Sequence, residues 1–260
     1  MASAILGGLL AGGWPASAVT VVEPWAEQAQ RLRERYAGVQ VLDAAGPALA
    51  AAQVVVWAVK PQLFAEAAAP CAAHVAGALQ LSVMAGIRSD ALTRATGATQ
   101  VVRTMPNTPA LVGQGMTGLY ALPGVSPAQR AQVERLLAAT GDLLWVDEEA
   151  QLDAVTALSG SGPAYVFYFL EAMMQAGAEL GLSPEQARCL AQGTFRGAAA
   201  LASQSDETPE VLRQRVTSKG GTTYAALTHM EGAGVKPAFV QAMHAAARRA
   251  QELGDEFGKC

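Results

Sequence analysis

The sequence predicts an α/β domain on a mainly parallel sheet that lacks its first strand, followed by an all-helical domain. Three observations carry this prediction. The first half alternates short β-branched runs with helical stretches, the half after about Asp147 holds no convincing strand, and the chain opens on a helical stretch where such a sheet opens on a strand.

The first half reads in order. Residues 1–10 (MASAILGGLL) have the texture of a helix body. Residues 18–23 (AVTVVE) form a buried strand, and residues 24–36 a helix with Pro24 near its first turn and Gly38 past its end. Residues 39–42 are a short strand. Residues 54–59 (VVVWAV) are a continuous apolar strand of the kind covered on both faces in a parallel sheet. Residues 79–83 and 100–104 repeat the pattern, with helices between. Residues 116–122 and 143–146 close the sheet, and between them Ser126 caps a helix that Gly141 ends.

In the second half, residues 164–180 form a long apolar and aromatic helix. Ser183 caps the next, with Pro184 at its first position. A last helix begins near Pro237, and Phe239, Met243, Ala246, Ala250, Leu253 and Phe257 line one stripe of it. The small residues and apolar surface of these helices point to an intertwined dimer, with a self-contained bundle as the plainer alternative.

Composition removes several classes. Of 260 residues, 51% are apolar and 15% charged, and the formal net charge is -4, which gives a nucleic-acid role little electrostatic support. Cys71, Cys189 and Cys260 form no C-x-x-C pair and read as small buried residues or, for Cys260, a frayed end. His74, His229 and His244 have no ligand at metal spacing, so no metal site is expected. No Lys or Arg precedes Arg31, so the basic start of a signal peptide is absent, and glycines and Pro15 break the early apolar runs. A soluble cytoplasmic protein, with no membrane partner, is expected.

A dinucleotide-binding sheet begins with a strand and then G-x-G-x-x-G entering a helix, where the glycines admit the pyrophosphate. Gly7 and Gly8 are not that fingerprint and read as small residues where a helix packs on the sheet. The expectation is a Rossmann-like, NAD(P)-binding domain over residues 1–147, N-terminally truncated, and an all-helical substrate-binding and dimerisation domain over residues 148–260. The order strand–helix–strand leaves Glu23 at the tip of what would be the second strand of such a sheet. A carboxylate there bonds the adenosine ribose, unless it is simply a solvated acid.

Strand ends carry the remaining motifs. Ala58, Val59, Lys60, Pro61 and Gln62 follow one buried strand, Ala85-Gly86-Ile87 ends the next, and Asn107 sits between Pro106 and Pro109 after the third. Strand C-termini of open α/β sheets face the ligand crevice, so this edge suits a nicotinamide pocket. Residues 159–165 (SGSGPAY) read as a tight glycine turn entering a helix, which is weak evidence alone. Residues 218–223 (SKGGTT) precede a helix start. The N–H groups of Gly221, Thr222 and Thr223, with the Ser218 and Thr223 hydroxyls, suit a carboxylate; an ordinary Thr-capped helix fits the spacing equally.

The stretches AVKPQ (58–62), RTMPNTPALVGQG (103–115), DAVTALSGSGPAYVF (153–167) and VTSKGGTTYAAL (216–227) occur in this order and spacing. With them the chain resembles the pyrroline-5-carboxylate reductase family over essentially its whole length. The resemblance implies a Rossmann domain with a helical dimerisation domain, NADPH or NADH as cofactor, a cyclic imino acid as substrate, and homodimers that in the family often assemble into decamers. It implies that Ser218, Gly221, Thr222 and Thr223 grip the substrate carboxylate, that Thr223 reaches the ring nitrogen, and that Glu149 lies near the substrate. It places Ala58 to Pro61, Ala85 and Asn107 along the cofactor, and matches Met1 and Ala2 to the end of the glycine loop. The upstream strand and G-x-G-x of the family have no counterpart in this sequence, for which a start codon called too late is the preferred expectation.

Two other readings follow from the sequence. A β-hydroxyacid dehydrogenase of similar build places, by family knowledge, a catalytic Lys in the helix after the glycine turn, and residues 164–177 contain none. A dimeric scaffold unable to hold NAD(P)H is the reading from a different class, since an absent central strand leaves backbone open on both neighbours.

Overall fold

The computed structural model describes residues 1–258, so Cys260 lies outside the described residues. The chain divides into two compact units, Met1–Ser161 joined by the stretch from Ala246, and Gly162–Ala245.

The first unit runs α1 (Ala2–Ala11), β1 (Thr20–Val22), α2 (Ala26–Arg35), β2 (Gln40–Leu42), β3 (Val54–Trp57), α3 (Phe64–Ala68), α4 (Ala72–Val75), β4 (Leu79–Ser82), α5 (Ser89–Thr96), β5 (Val101–Met105), β6 (Gly115–Ala121), α6 (Pro127–Leu137), β7 (Gly141–Trp145) and α7 (Gln151–Val155). β3, β4 and β5 pair in parallel, and β4, in the middle of that trio, is buried along its whole length.

Apolar residues on alternate strand positions fill two layers. Leu79, Leu81, Val102 and Leu119 pack under Ile5 and Leu9 of α1 and Val133 and Leu136 of α6. Trp57 and Val101 face Phe64, Val75, Ala91 and Leu92 of α3, α4 and α5 on the other side. The sheet is thus sandwiched between helices, the arrangement that a run such as VVVW requires. Gln80 is wholly buried and satisfied: its Oε1 accepts from Trp57 Nε1 at 2.8 Å and its Nε2 donates to the Val75 and Ala78 carbonyls, each at 2.8 Å.

The sheet departs from the expected pattern in two ways. β6 runs antiparallel to β5, before β7 returns parallel to β6. Parallel neighbours need a crossover of roughly a dozen residues or more, and the 106–114 link holds only a short 3-10 turn, so the chain doubles back. The sheet is also divided: β1 and β2 pair only with each other, and among the described residues no strand joins them to β3. β3 is therefore an edge strand, and Val54, Val55 and Val56 are half-buried instead of covered on both faces. Helix α1 spans the division, with Ile5 and Leu9 in the core of the large sheet and Leu6 beside Leu32 and Val39 under the small one.

Within α1, a Cβ on Gly8 would come 2.9 Å from Ala139, so this glycine admits the turn after α6 and not the sheet itself; Gly7 has only the Tyr36 hydroxyl near, at 3.5 Å. Ser126 caps α6 in a capping box with Gln129, as the sequence predicts, and α6 ends at Leu137 with a 3-10 turn before Gly141.

The second unit comprises α8 (Gly162–Glu179), α9 (Pro184–Ser203), α10 (Pro209–Arg215), α11 (Thr222–Gly232) and the start of α12 (Val235–Phe257), whose end belongs to the first unit. Ser183 and Gln186 form the capping box of α9. α8 and α9 approach closely where a Cβ on Gly177 would lie 2.8 Å from that of Ala187. Phe239 of α12 packs edge-on against Tyr165 and Phe169, at 5.7 and 5.6 Å between ring centres. Much of the unit's apolar surface is uncovered, Tyr168 being 71% and Leu201 59% exposed. Such a surface marks a protein interface. Cys71 is buried as expected, but Cys189 is exposed, because its place on α9 faces outward.

Candidate active site

Because β3, β4 and β5 are parallel neighbours, their C-terminal ends share one sheet edge. Ala58, Val59, Lys60 and Pro61 follow β3, Ala85 follows β4 and Asn107 follows β5. Pro61 opens a 3-10 turn that carries the chain off the strand, and Lys60 at its cap is exposed. Among the described residues the N–H groups of Val59, Lys60 and Ala85 have no backbone partner. They are donors of the kind that phosphate and carboxamide oxygens accept from, so this edge fits a dinucleotide. Gly86 adopts φ +76°, and a Cβ there would meet the Phe257 ring at 2.8 Å and the Leu253 backbone at 3.3 Å. The end of α12 thus presses directly on the loop after β4, and only glycine fits between.

Asn107 is fully engaged with its own chain. Its Nδ2 donates to the Ser159 carbonyl at 3.3 Å and hydroxyl at 3.2 Å, and its Oδ1 accepts from Met116 N–H at 2.9 Å. Both amide hydrogens are used, so the side chain shapes the loop and leaves one acceptor position for anything else. Its partner Ser159 is not in a tight turn. Residues Thr156–Gly160 form a π-helical segment between α7 and α8, with Ser161 N–H donating to the Thr156 carbonyl at 2.8 Å. A wide turn of this type is rare and concentrates at functional sites. The end of the Met105 side chain packs against Gly160, 2.5 Å from where a Cβ would stand.

Arg103 and Ser89 are additions that the motif reading passed over. Arg103 interrupts the buried β5 run and is only 7% exposed. Its Nη1 meets Glu149 Oε1 at 2.6 Å, and the same oxygen accepts from Ser89 N–H at 2.7 Å and from Ser89 Oγ at 3.0 Å. An arginine inside an otherwise apolar strand (VVRTM) demands a carboxylate, and that signal was available in the sequence. Beside this pair, Arg88 reaches Asp255 at 2.7 Å, with its guanidinium against Gly254.

Met1 caps α1 and Ala2 is its first residue. Glu23 directly follows β1, where its carboxylate accepts from Trp25 N–H at 3.1 Å and its N–H donates to the Leu42 carbonyl. In the helical unit, Gly221 caps α11, and Thr222 and Thr223 are the first two helical residues, so their N–H groups lie among those left unpaired at a helix start. Gly220 turns the chain at φ +76°, Gly221 N–H donates to the Ser218 carbonyl at 3.0 Å, and a Cβ on Gly221 would lie 2.7 Å from Ser218 Oγ. The corner therefore gathers the Ser218 hydroxyl and the helix-start donors within a few residues. Its helix carries positive potential at that end, which suits an anion.

Residues 149–253 match the domain model for pyrroline-5-carboxylate reductase dimerisation, and residues 1–86 match that of NADP oxidoreductase, coenzyme F420-dependent. A pyrroline-5-carboxylate reductase of Pseudomonas aeruginosa is 45% identical over all of this chain and 95% of its own length. The chain belongs to the pyrroline-5-carboxylate reductase family. The family enzyme of Pasteurella multocida is 40% identical over 99% of the chain and 95% of its own length. The Coxiella burnetii reductase structure superposes with a TM-score of 0.90 at 34% identity, covering 97% of this chain and 94% of that one. The Plasmodium falciparum enzyme, solved with NADP bound, gives 0.85 at 25% identity with the same coverage. The helical unit of this oxidoreductase-family chain accordingly falls within a dimerisation domain.

One acid of the reductase-family chain has an unusual environment. Asp153, on α7, has its carboxyl pushed above the ordinary range by burial; Arg103 and Arg88 oppose the shift, and Glu149 and Asp255 add to it. A carboxyl raised on folding stabilises the protein while protonated and loses that contribution as pH rises. Asp153→Asn is therefore expected to melt above the wild type at pH 7, with the gap closing below about pH 4, where the unfolded carboxyl also protonates. Thermal melts across that range check it.

Proposed function

We propose that this protein reduces Δ1-pyrroline-5-carboxylate to L-proline using NADPH or NADH, the last step of proline biosynthesis, as a cytoplasmic homodimer able to assemble further. The observation that carries the reading is the 45% identity to a pyrroline-5-carboxylate reductase across the whole chain, with the SKGGTT corner intact.

Domain roles follow: residues 1–147 bind the cofactor, and residues 148–260 bind substrate and dimerise through the exposed apolar helices. When bound, NAD(P)H supplies the hydride that reduces the C=N bond. Around it, Ala58, Val59, Lys60, Pro61, Ala85 and Asn107 form the strand-end rim, Met1 and Ala2 lie at the start of α1, and Glu23 meets the adenosine ribose, which disfavours a 2′-phosphate and leans toward NADH. Ser218 and the N–H groups of Gly221, Thr222 and Thr223 hold the substrate carboxylate, and the Thr223 hydroxyl fixes the ring nitrogen.

A protonated imine already carries the charge that hydride neutralises, so the site needs no strong general acid, unlike carbonyl reduction. Orientation of two reactants is then the main contribution of the protein. No nucleic acid or membrane enters this reading: the net charge is -4, and among the described residues no helix is long and apolar enough to cross a membrane.

The hydroxyacid reading has no lysine to use, since α8 contains none. The impaired scaffold is the weaker alternative as well, because the first unit has compact cores on both faces of its sheet. Steady-state assays with pyrroline-5-carboxylate and with β-hydroxyacids separate the readings: turnover of the imine alone is expected, and turnover of hydroxyacids alone would overturn the proposal.

A further inference from the structure

We infer that Glu149 is a positioning residue for the cofactor edge, acting through Arg103 and Ser89. The inference rests on the NAD(P)H reading above.

One carboxylate oxygen ties three pieces of the first unit. Arg103 lies in β5, whose next loop carries Asn107, and meets Glu149 at 2.6 Å. Ser89 is the first residue of α5, directly after the Ala85–Arg88 loop, and gives that oxygen both its N–H and its hydroxyl at 2.7 and 3.0 Å. Glu149 itself precedes α7 and accepts, through its carbonyl, from Leu152 N–H at 3.0 Å. The helix start after one rim loop and the strand that leads into another are thus tied to one point.

The chemistry explains why a carboxylate stands there. Arg103 cannot lose its charge and is nearly buried, so without a partner its guanidinium would be an uncompensated buried charge that disturbs the packing around β5. The N–H of Ser89 is one of the donors a helix start leaves unpaired, and the negative charge also complements the positive end of α5. Losing Glu149 frees both fastenings at once. The loop after β4 would keep the burial of Ile87, the contact of Gly86 with Leu253 and Phe257, and the Arg88–Asp255 pair, but lose its tie at the start of α5. Oε1 already takes three donors, so that oxygen is committed to the two fastenings.

The test uses the full-length wild type with Glu149→Ala and Glu149→Gln. NADPH binding is followed by tryptophan fluorescence in the absence of substrate, and KM and kcat are measured separately for NADPH and pyrroline-5-carboxylate. Glu149→Ala is expected to weaken NADPH binding about tenfold, with KM for the imine and kcat within about twofold of the wild type. Glu149→Gln keeps an acceptor for Ser89 and should show a smaller loss in the same direction, and melting curves without cofactor verify that it folds. Ser89→Ala, which removes the hydroxyl contact but keeps the backbone N–H bond and the ion pair, should lose about threefold in NADPH binding. A raised KM for the imine with unchanged NADPH binding would make Glu149 a substrate contact and overturn the inference, as would unchanged values for both. A wild type that binds neither NADPH nor NADH would instead overturn the cofactor reading itself.

Discussion

Gly141→Ala is expected to unfold the first unit. Gly141 starts β7 opposite Gly115, adopts φ +128°, and a Cβ there would lie 2.1 Å from the Gly115 carbonyl oxygen and 2.4 Å from its nitrogen. No side-chain rotation relieves an overlap with backbone, so β6 and β7 would have to separate. The cost is about 4 kcal/mol or more, against a total stability of roughly 5–15 kcal/mol for a domain. Gly13→Ala is the matched control: it too has positive φ, at +86°, but nothing lies within 4 Å, so only the backbone preference of about 1–2 kcal/mol is lost. Denaturant titration of the two variants distinguishes them. Comparable losses would show that the Gly115–Gly141 approach is looser than described.

Thr223→Ala is expected to fold normally and to lose most of its activity. Thr223 is the second residue of α11, half-buried, and not its cap, which is Gly221. Alanine is at least as good a helix former, so melting should change little. The hydroxyl is the one group proposed to fix the ring nitrogen, and a hydrogen bond to a charged partner contributes about 1.5–3 kcal/mol, or roughly a 10- to 100-fold fall in kcat/KM. Thr222→Ala offers its N–H unchanged and should fall far less. Equal activity of Thr223→Ala and wild type would remove Thr223 from the chemistry.

What the sequence disclosed and what it hid divide along physical lines. Ser126 and Ser183 were legible as caps because the residue types that satisfy a helix start lie within one turn of it. The strand-end rim was legible because a buried apolar run followed by Lys60-Pro61 or Met105-Pro106 fixes where a strand stops. The antiparallel β6 was not, since strand direction is decided by distant pairing. Gly115 and Gly141 look unremarkable apart and are informative only face to face. Residues 159–165 read as a tight glycine turn, whereas Ser159 and Gly160 end a π-helical segment that starts at Thr156, because local composition cannot reveal that Met105 occupies the space beside Gly160. Asn107 was expected on the cofactor and proves to be committed to Ser159 and Met116 first. Of the ion pair at 2.6 Å, Glu149 was singled out but its partner Arg103 was not, although an arginine in a buried strand was there to be questioned.

Direct hydride delivery to a cyclic imine is the central step of the proposed reaction. The most direct test supplies the purified protein with pyrroline-5-carboxylate and NADPH or NADH carrying deuterium at the nicotinamide C4 position that is transferred, then analyses the product by mass spectrometry. The prediction is L-proline with one deuterium on the ring carbon that was doubly bonded to nitrogen. Unlabelled proline, or oxidation of the cofactor with no proline formed, would contradict it.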